Sequence, residues 1–535
     1  MTHFLERLKR YQLPLISGLL VATSYPPFPS WAVVFCWVPL WLFCWKQKSW
    51  KTAFWAGWAT QFTLSLIGFH WVAYTAHAFG NLPWIVAVPV LLLFAAFVHL
   101  HIPLALALIN WLRKDQDWPA GWVFLSYACA ISLLERIWPM IFSWNMGYSL
   151  LYSRLEIYQL AEWVGFEGLS AFLFALNAVV ATGLVAWQTT RRGLAIGLMA
   201  ATCLLFLLFN VVGSKIRPAD EPPERTLKAL IVQANVGQFD KVMAEQNLKG
   251  REGELPRAVQ DLYLRLTEEA LARFPETELI VWPETALADY FDLDYLNRDR
   301  AFQLRSRIQS WNRAVVTGAY SRDPQTQGVY NAVFGFNHDG ALAANAYRKY
   351  QLLAFGEYLP GSEFFPILLK WIPFVSNFAR GPGPEVKPLQ TARGTFKIAP
   401  QICYESLSPA HSRLGALAGG EVLVNVTNDS WFGKEFEPFQ HGTMTWARAI
   451  ETRRPLIRAT NTGQSSIITH RGEVLIKSPL GVSWAGMAEV PVPAPKITFF
   501  MKYGYLDWVP ILVILLFVIG RMRYRENTRR SVSIP

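Results

Sequence analysis

Three residues, widely spaced in the chain, have side chains that together could carry out acyl transfer. Glu284 follows Leu279-Ile280-Val281-Trp282-Pro283, Lys349 sits in Tyr347-Arg348-Lys349-Tyr350, and Cys403 lies in Ala399-Pro400-Gln401-Ile402-Cys403-Tyr404-Glu405. A thiol nucleophile must lose its proton to a base, and the tetrahedral intermediate it forms needs a cation or donors for its oxyanion. A carboxylate, an ammonium and a thiol meet those needs without a metal or a cofactor. Each residue alone has a bland account: a Glu or Lys is usually solvated, and a lone Cys is usually buried packing.

The elements that would position them have α/β character. Ala229–Asn235 and Leu279–Trp282 are apolar runs of the buried-strand kind, the second stopping at Pro283-Glu284-Thr285. Ala314–Tyr320, Tyr330–Phe336, Glu421–Thr427, Leu456–Thr460 and Ser465–His470 also read as strands, with a hairpin signal at Asp339-Gly340. Helical spacing marks Arg257–Phe274 and Pro438–Ala449. Cys403 falls between the short β-type run Gly394–Ile398 and a stretch, Ser406–Ala418, that suits a helix capped by Ser406 or Ser408. A helix N-terminus beside the cysteine is expected to favour a thiolate.

The rest of the chain is of another kind. The protein has 535 residues, 52% of them hydrophobic, with 23 Trp and 35 Phe. That is too apolar for one soluble domain and too polar for membrane helices throughout, so a membrane part plus a globular part is implied. Apolar segments run at Leu13–Thr23, Trp31–Trp45, Phe54–Tyr74, Leu82–Trp111, Gly121–Leu134, Gly168–Trp187, Leu194–Val212 and Tyr505–Gly520. Several fall short of the ~20 residues of a straight span. The first has no small-residue cleavage site, and more spans follow it, so it reads as a helix and not a signal peptide.

The formal net charge is +11, and its placement matters more than its size. Lys and Arg cluster before the first segment, between the second and third, after the fourth, between the sixth and seventh, and after the last. The loops Ser24–Ser30 and Thr75–Asn81 carry none. This positive-inside pattern predicts eight spans, both termini in the cytoplasm and 213–502 on the outer face. It also accounts for the basic charge without a nucleic-acid partner. Cys36, Cys44, Cys129 and Cys203 lie in apolar segments, so no disulfide framework or zinc-type spacing is expected.

Two outer stretches bear on lipid. Ser143-Trp144-Asn145-Met146-Gly147-Tyr148-Ser149, within 135–167, reads either as an interfacial aromatic anchor or as the lining of a lipid path. Glu363–Phe378 is apolar, interrupted by two prolines, too short to span, and followed by Gly381-Pro382-Gly383-Pro384. It reads as a loop that dips into the bilayer edge and admits acyl chains, with domain core as the competing account.

The order Trp282-Pro283-Glu284, Lys349, Cys403-Tyr404-Glu405 resembles the nitrilase, or carbon–nitrogen hydrolase, superfamily. More narrowly, the whole chain resembles the bacterial apolipoprotein N-acyltransferase family. The matching motifs are Gln159–Gly165, Val232–Asn235, Trp282–Thr285, Tyr330-Asn331, Phe355–Tyr358, Ile402–Glu405, Asn428–Gly433 and Arg454–Asn461. There are two departures: a Trp usual in the family is replaced near Val242, and Leu352-Leu353-Ala354 stands where Leu-Val-Pro is usual. The first leaves one wall of the lipid pocket undefined.

The resemblance implies an eight-helix membrane bundle plus an αββα sandwich. Residues 1–213 would hold seven spans, 226–496 the catalytic domain, 503–521 the eighth span and 522–535 a basic cytoplasmic tail. It implies a bacterial inner-membrane protein, multi-pass and monomeric, with its catalytic domain on the periplasmic face. The reaction implied moves an acyl chain from a phospholipid, phosphatidylethanolamine being the expected donor, to the α-amine of an apolipoprotein's N-terminal diacylglyceryl-cysteine. Cys403 would be nucleophile and acyl carrier, Glu284 the base, and Lys349 the oxyanion partner. Glu357 and Glu405 would orient the lysine or shuttle protons. Asn331, Tyr404 and Trp431 would shape the site, with packing or strand-end hydrogen bonding as the competing account for those three. No cofactor or metal is implied.

Two readings of other classes stay open at the level of sequence. One is a membrane-tethered amidase or nitrilase that releases its acyl group to water, although eight spans exceed what an anchor needs. The other is a transporter with an outer accessory domain, which calls for several ionisable residues inside the spans. His70, His99 and His101 are the main ones present, and each reads as packed or interfacial.

Overall fold

The computed structural model describes residues 10–114, 116–142, 144–220, 222–237, 254–287, 290, 299–365, 367, 370 and 375–532. The chain forms two compact units. One comprises Met1–Ala73, Pro83–Arg217 and Tyr503–Pro535, and the other Tyr74–Leu82 and Pro218–Lys502.

The first unit is helical. Four helices among the described residues are long and apolar enough to cross a membrane: Trp84–Leu112, Ala120–Ile137, Glu156–Gln188 and Arg192–Ile216. The bent pair Phe499–Leu506 and Trp508–Glu526 makes a fifth if taken as one span. The earlier apolar segments form shorter or more polar helices, Gln12–Ala22, Val38–Gln47 and Trp50–Gly68. The 11 residues of Gln12–Ala22 rise only about 16 Å, half of a hydrocarbon core. Near the start of the third long helix Gly165 has φ +65, a break that only glycine takes without strain.

The aromatic stretch of this unit is packed inside it. Trp144, Asn145, Met146 and Tyr148 are buried, Trp144 stacks on Tyr25 with ring centroids 3.9 Å apart, and its ring covers Gly68 so closely that a Cβ there would overlap it. Ser143 lies outside the described residues. His99 and His101 are buried packing, with His99 Nδ1 3.0 Å from Ser65 Oγ.

The second unit holds two six-stranded sheets. The first orders its strands β12-β1-β2-β3-β4-β5 and the second β11-β10-β9-β8-β7-β6. The first uses β1 (Arg225–Gln233), β2 (Leu279–Val281), β3 (Ala314–Arg322), β4 (Val329–Phe336), β5 (Tyr347–Arg348) and β12 (Trp484–Val492). The second uses β6 (Lys387–Thr391), β7 (Gly394–Ile402), β8 (Val422–Thr427), β9 (Leu456–Thr460), β10 (Ser466–Ile468) and β11 (Val474–Lys477). Strands β1 to β3 and β7 to β9 pair in parallel.

Alternation along the strands decides what each face meets, because successive side chains point to opposite sides. Ala229 and Ile231 of β1, Val316 of β3, Val422, Val424 and Val426 of β8, and Ile457 and Ala459 of β9 pack together between the sheets. The opposite face of the first sheet, Leu230, Val232, Ile280 and Val315, packs on α1 (Glu254–Arg273) through Val259 and Tyr263, and on α2 (Asp299–Trp311) through Leu304 and Ile308. These cores are apolar. The far face of the second sheet meets α3 (Pro409–Leu417) and α4 (Glu437–Thr452) differently. There Gln401, Asn425 and Arg458 bond to Ser412, Cys403 and Thr445, so a buried polar layer lies directly behind the cysteine. The result is the expected four-layer α/β sandwich.

Several motifs serve this architecture. Gln233 Oε1 accepts from Thr460 Oγ1, Ser465 Oγ and Ser478 Oγ at 3.1, 2.6 and 3.0 Å, joining the two sheets at one end. The Asn461 carbonyl accepts from Asn235 N at 3.0 Å. The position near Val242, where the family's Trp is replaced, lies outside the described residues.

Candidate active site

Each of the three chemically suggestive residues sits where a strand gives out. Glu284 follows β2. The chain there is held against β3 by Trp282 N to Val316 O at 2.8 Å and Gly318 N to Pro283 O at 3.2 Å. Position 318 must be glycine for this approach, since a Cβ would stand 2.6 Å from the Glu284 Cα. Lys349 follows β5 and stays extended between two neighbours, its N–H donating to Asn331 O at 2.9 Å and its carbonyl accepting from Gly381 N at 2.7 Å. Cys403 follows β7.

The surroundings of Cys403 correct an expectation. No α-helix starts at the cysteine. A 3₁₀ turn, Cys403–Leu407, intervenes, and α3 begins only at Pro409, capped by Ser408 Oγ, which accepts from His411 N. Ser406 Oγ instead donates back to the Cys403 carbonyl at 2.9 Å. Cys403 itself has φ +50, a left-handed conformation in which a non-glycine residue is uncommon.

All three side chains are buried and line one pocket, together with Thr285, Tyr320, Asn331, Glu357, Phe378 and Trp431. Lys349 Nζ is 2.7 Å from Glu357 Oε1 and 3.7 Å from Glu284 Oε1. Asn331 Nδ2 spans both carboxylates, donating to Glu284 Oε1 at 2.6 Å and to Glu357 Oε1 at 3.2 Å. Glu284 Oε2 accepts from the Asn428 N–H at 2.9 Å, and Glu357 Oε2 from the Leu353 N–H at 2.8 Å. A fully buried ammonium is tolerated only with such partners.

These contacts set the charges. Burial alone would discharge Lys349, but Glu357 and Glu284 outweigh it and hold the ammonium firmly protonated. Burial pushes the Glu284 carboxyl up, as does Glu357, against Lys349, Asn331 and the Asn428 N–H. Cys403 is pushed well above the usual thiol value by burial and then by Glu284, with Lys349 opposing. The expected helix-stabilised thiolate is therefore not the resting form. The site holds a thiol beside a carboxylate, which can take its proton only as a reaction proceeds, and a cation placed to meet negative charge.

The supporting residues divide. Glu357 and Asn331 belong to the charged cluster. Trp431 lines the pocket, stacks on Phe79 at 4.8 Å between ring centroids, and accepts from Thr75 Oγ1 through its carbonyl at 3.0 Å. Glu405 does not approach the lysine. Its Oε1 accepts from Tyr347 OH at 2.7 Å, Tyr350 N at 2.7 Å and Gln351 N at 3.1 Å, and its Oε2 from Ile402 N at 2.8 Å. It ties the lysine-bearing segment to the cysteine-bearing one through their backbone N–H groups. Tyr404 is half-buried against the core between the sheets, and burial pushes its hydroxyl up to about 12. The Asn428 N–H is a backbone donor that any residue but proline could supply, so only the motif Asn428–Gly433 marks its place in the sequence.

In the apolar stretch 363–378, Phe378 and Ser376 line the pocket, whereas Phe364 and Phe365 are 80% and 64% exposed. The exposed pair is not domain core. Leu368 and Leu369 lie outside the described residues.

Comparison with known proteins agrees with this architecture. Residues 17–179 match the apolipoprotein N-acyltransferase N-terminal domain, and residues 251–490 match the carbon-nitrogen hydrolase family. A protein of Bdellovibrio bacteriovorus is 45% identical over 97% of this chain and 95% of its own length. Proteins of Geobacter metallireducens and Azotobacter vinelandii are 30% and 32% identical, over 92% and 98% of this chain and 91% and 96% of theirs. All three relatives carry the name apolipoprotein N-acyltransferase. Membrane-type helices, a carbon–nitrogen hydrolase sandwich and a near-full-length match to these relatives place the chain in the apolipoprotein N-acyltransferase family, as a membrane-associated acyltransferase.

Proposed function

We propose that this protein moves an acyl chain from a membrane phospholipid to the α-amine of a lipoprotein's N-terminal diacylglyceryl-cysteine, through a thioester on Cys403. One observation carries the reading: Glu284, Lys349 and Cys403 are buried around one pocket, with the lysine held protonated between two carboxylates. In the first half-reaction Cys403 Sγ attacks the ester carbonyl as Glu284 takes the thiol proton. Lys349 Nζ meets the oxyanion, and Glu284 returns the proton to the departing lysophospholipid oxygen. In the second, Glu284 takes a proton from the acceptor amine, the C–N bond forms, and the C–S bond breaks to restore the thiol.

Phosphatidylethanolamine is the proposed donor and a diacylated apolipoprotein the acceptor. The proposed setting is the bacterial inner membrane, crossed eight times by a monomer. Residues 226–496 face the periplasm and both termini the cytoplasm. The alternation of Lys- and Arg-bearing loops with uncharged ones supports this topology. A tag after Pro535 and one near Gln325 should report opposite sides of the membrane, and the eight-pass topology fails if they report the same side.

The chemical test uses phospholipid carrying a labelled acyl chain, with no acceptor. One label per enzyme should appear on Cys403, labile to hydroxylamine, with about one lysophospholipid released and then a stall, the kinetic mark of covalent catalysis. Cys403→Ala should take no label. Continued release of lysophospholipid without acceptor would make the protein a lipid hydrolase. Turnover with acceptor but no label on the cysteine would replace the thioester by direct transfer.

A further inference from the structure

The polar layer behind the cysteine converges on one atom, the carbonyl oxygen of Cys403. Three side chains approach it: Ser406 Oγ at 2.9 Å, His441 Nε2 at 3.4 Å and Asn425 Nδ2 at 3.5 Å. Arg458 holds one of the three directly and a second through Asp429. Arg458 Nη1 donates to Asn425 Oδ1 at 2.6 Å, and its Nη2 to Asp429 Oδ2 at 2.8 Å. Asp429 Oδ1 in turn lies 3.0 Å from His441 Nδ1, and Glu437 Oε1, one helical turn back on α4, lies 3.2 Å from the same nitrogen. Asp429, Glu437, His441 and Arg458 are all buried.

The charges in this cluster imply which form the imidazole takes. Both ring nitrogens of His441 face oxygens that can only accept, the Asp429 carboxylate and the Cys403 carbonyl, which calls for a protonated ring; the Glu437 carboxyl, pushed up to about 7 by burial and then by Asp429, does not add a full charge. Burial and Arg458 oppose that proton, but Asp429 and Glu437 outweigh them and raise the imidazole above its ordinary value. Asp429 is held down at about 2, Arg458 and His441 overcoming its burial. A protonated imidazole has a donor on each nitrogen, so one ring can bond Asp429 through Nδ1 and the Cys403 carbonyl through Nε2. Asp429, Glu437 and His441 also have metal-ligand chemistry and lie within 4.8 Å of one another. The Arg458 cation bonded to Asp429 already supplies the charge that a metal ion would bring, and would repel one.

Cys403 has reason to need such a clamp. Its φ of +50 is a conformation that strains a non-glycine residue and persists only where surroundings hold it. We propose that His441 is a positioning residue for the nucleophile: held by Asp429, it donates Nε2–H to the Cys403 carbonyl and, with Ser406 and Asn425, keeps the cysteine in the left-handed turn that presents its thiol to the pocket. The proposal rests on Cys403 being the acyl carrier.

The full-length protein in detergent with phospholipid and a diacylated lipopeptide tests it. His441→Ala should lower kcat on the order of 10²-fold with little change in the KM for phospholipid, because a misplaced reacting atom weakens the chemical step and not lipid binding. Alkylation of Cys403 by iodoacetamide should slow in parallel. His441→Gln, whose side-chain amide can place an N–H near the Nε2 position, should recover most of both rates. An unchanged kcat in His441→Ala overturns the proposal. So does equal loss in the Ala and Gln variants, which marks a packing residue, or loss of wild-type activity on treatment with EDTA, which marks a metal site. Cys403→Ala run alongside keeps the two questions apart: if it retains activity, the acyl-carrier reading fails, and if it is dead while His441→Ala is normal, only the positioning role fails.

Discussion

Lys349 is hydrogen-bonded to Glu357 and not to Glu284: its Nζ stands 2.7 Å from the first carboxylate and 3.7 Å from the second. The partner that anchors the ammonium is thus a different residue from the candidate base. Glu284 is left with Asn331 and the Asn428 N–H as its bonded donors, and its carboxylate can accept a proton without first releasing the lysine.

Glu357→Gln removes the lysine's anchor and one of the charges that raise Glu284. Two effects follow with definite signs. Lys349 is free to close on Glu284, and kcat should fall by about 10²-fold, the scale of losing a placed oxyanion partner. With the like charge gone, Glu284 ionises more easily, so the acid limb of the pH–rate profile should move to lower pH. Steady-state rates across pH check both, and an acid limb that stays in place would show that Glu284 does not feel Glu357.

Asn331→Leu should move the same limb the other way. The Nδ2 bond at 2.6 Å favours ionised Glu284, and without it burial is less opposed. The carboxylate then needs higher pH to form. A pH–rate profile of the variant that matches wild type would reduce Asn331 to strand packing.

Glu405→Gln should act on folding. Four donors converge on this carboxylate, and a hydrogen bond to a buried charge is worth about 1.5–3 kcal/mol. An amide NH₂ would face donors where the wild type has an acceptor. The melting temperature measured by differential scanning fluorimetry should drop by several degrees. Near-wild-type melting with lost activity would favour a direct role in the chemistry.

Phe364→Ser with Phe365→Ser should leave the melting temperature nearly unchanged, since both rings are largely exposed. Use of a long-chain phospholipid should fall more than use of a short soluble ester, because each CH₂ buried contributes about 0.8 kcal/mol. Equal losses for the two donors would remove the loop from lipid recognition.

Much of this was decided locally and is legible along the chain. Apolar runs such as Leu279–Val281 become strands because they can be buried on both faces. The punctuation after them, Pro283-Glu284 and Ile402-Cys403, places polar groups at strand ends whatever the tertiary arrangement. Alternation in Val422-Leu423-Val424-Asn425-Val426-Thr427 likewise sends the valines between the sheets and Asn425 to the far face. Spacing on the chain therefore sufficed to nominate Glu284, Lys349 and Cys403. The short strands β5, β6 and β11 carry few residues of pattern, and only pairing with neighbours makes them strands.

What the tertiary structure alone decided is which charge meets which. Glu357 and Glu405 look alike in sequence, each beside a tyrosine near a candidate residue. The fold turns one toward Lys349 and buries the other under the backbone donors of Tyr350, Gln351 and Ile402. His441 gave no sign at all, being 38 residues from the cysteine whose carbonyl it reaches. Side-chain electrostatics act over a few ångströms of space, and distance along the chain does not report that space until the sheets and helices have packed.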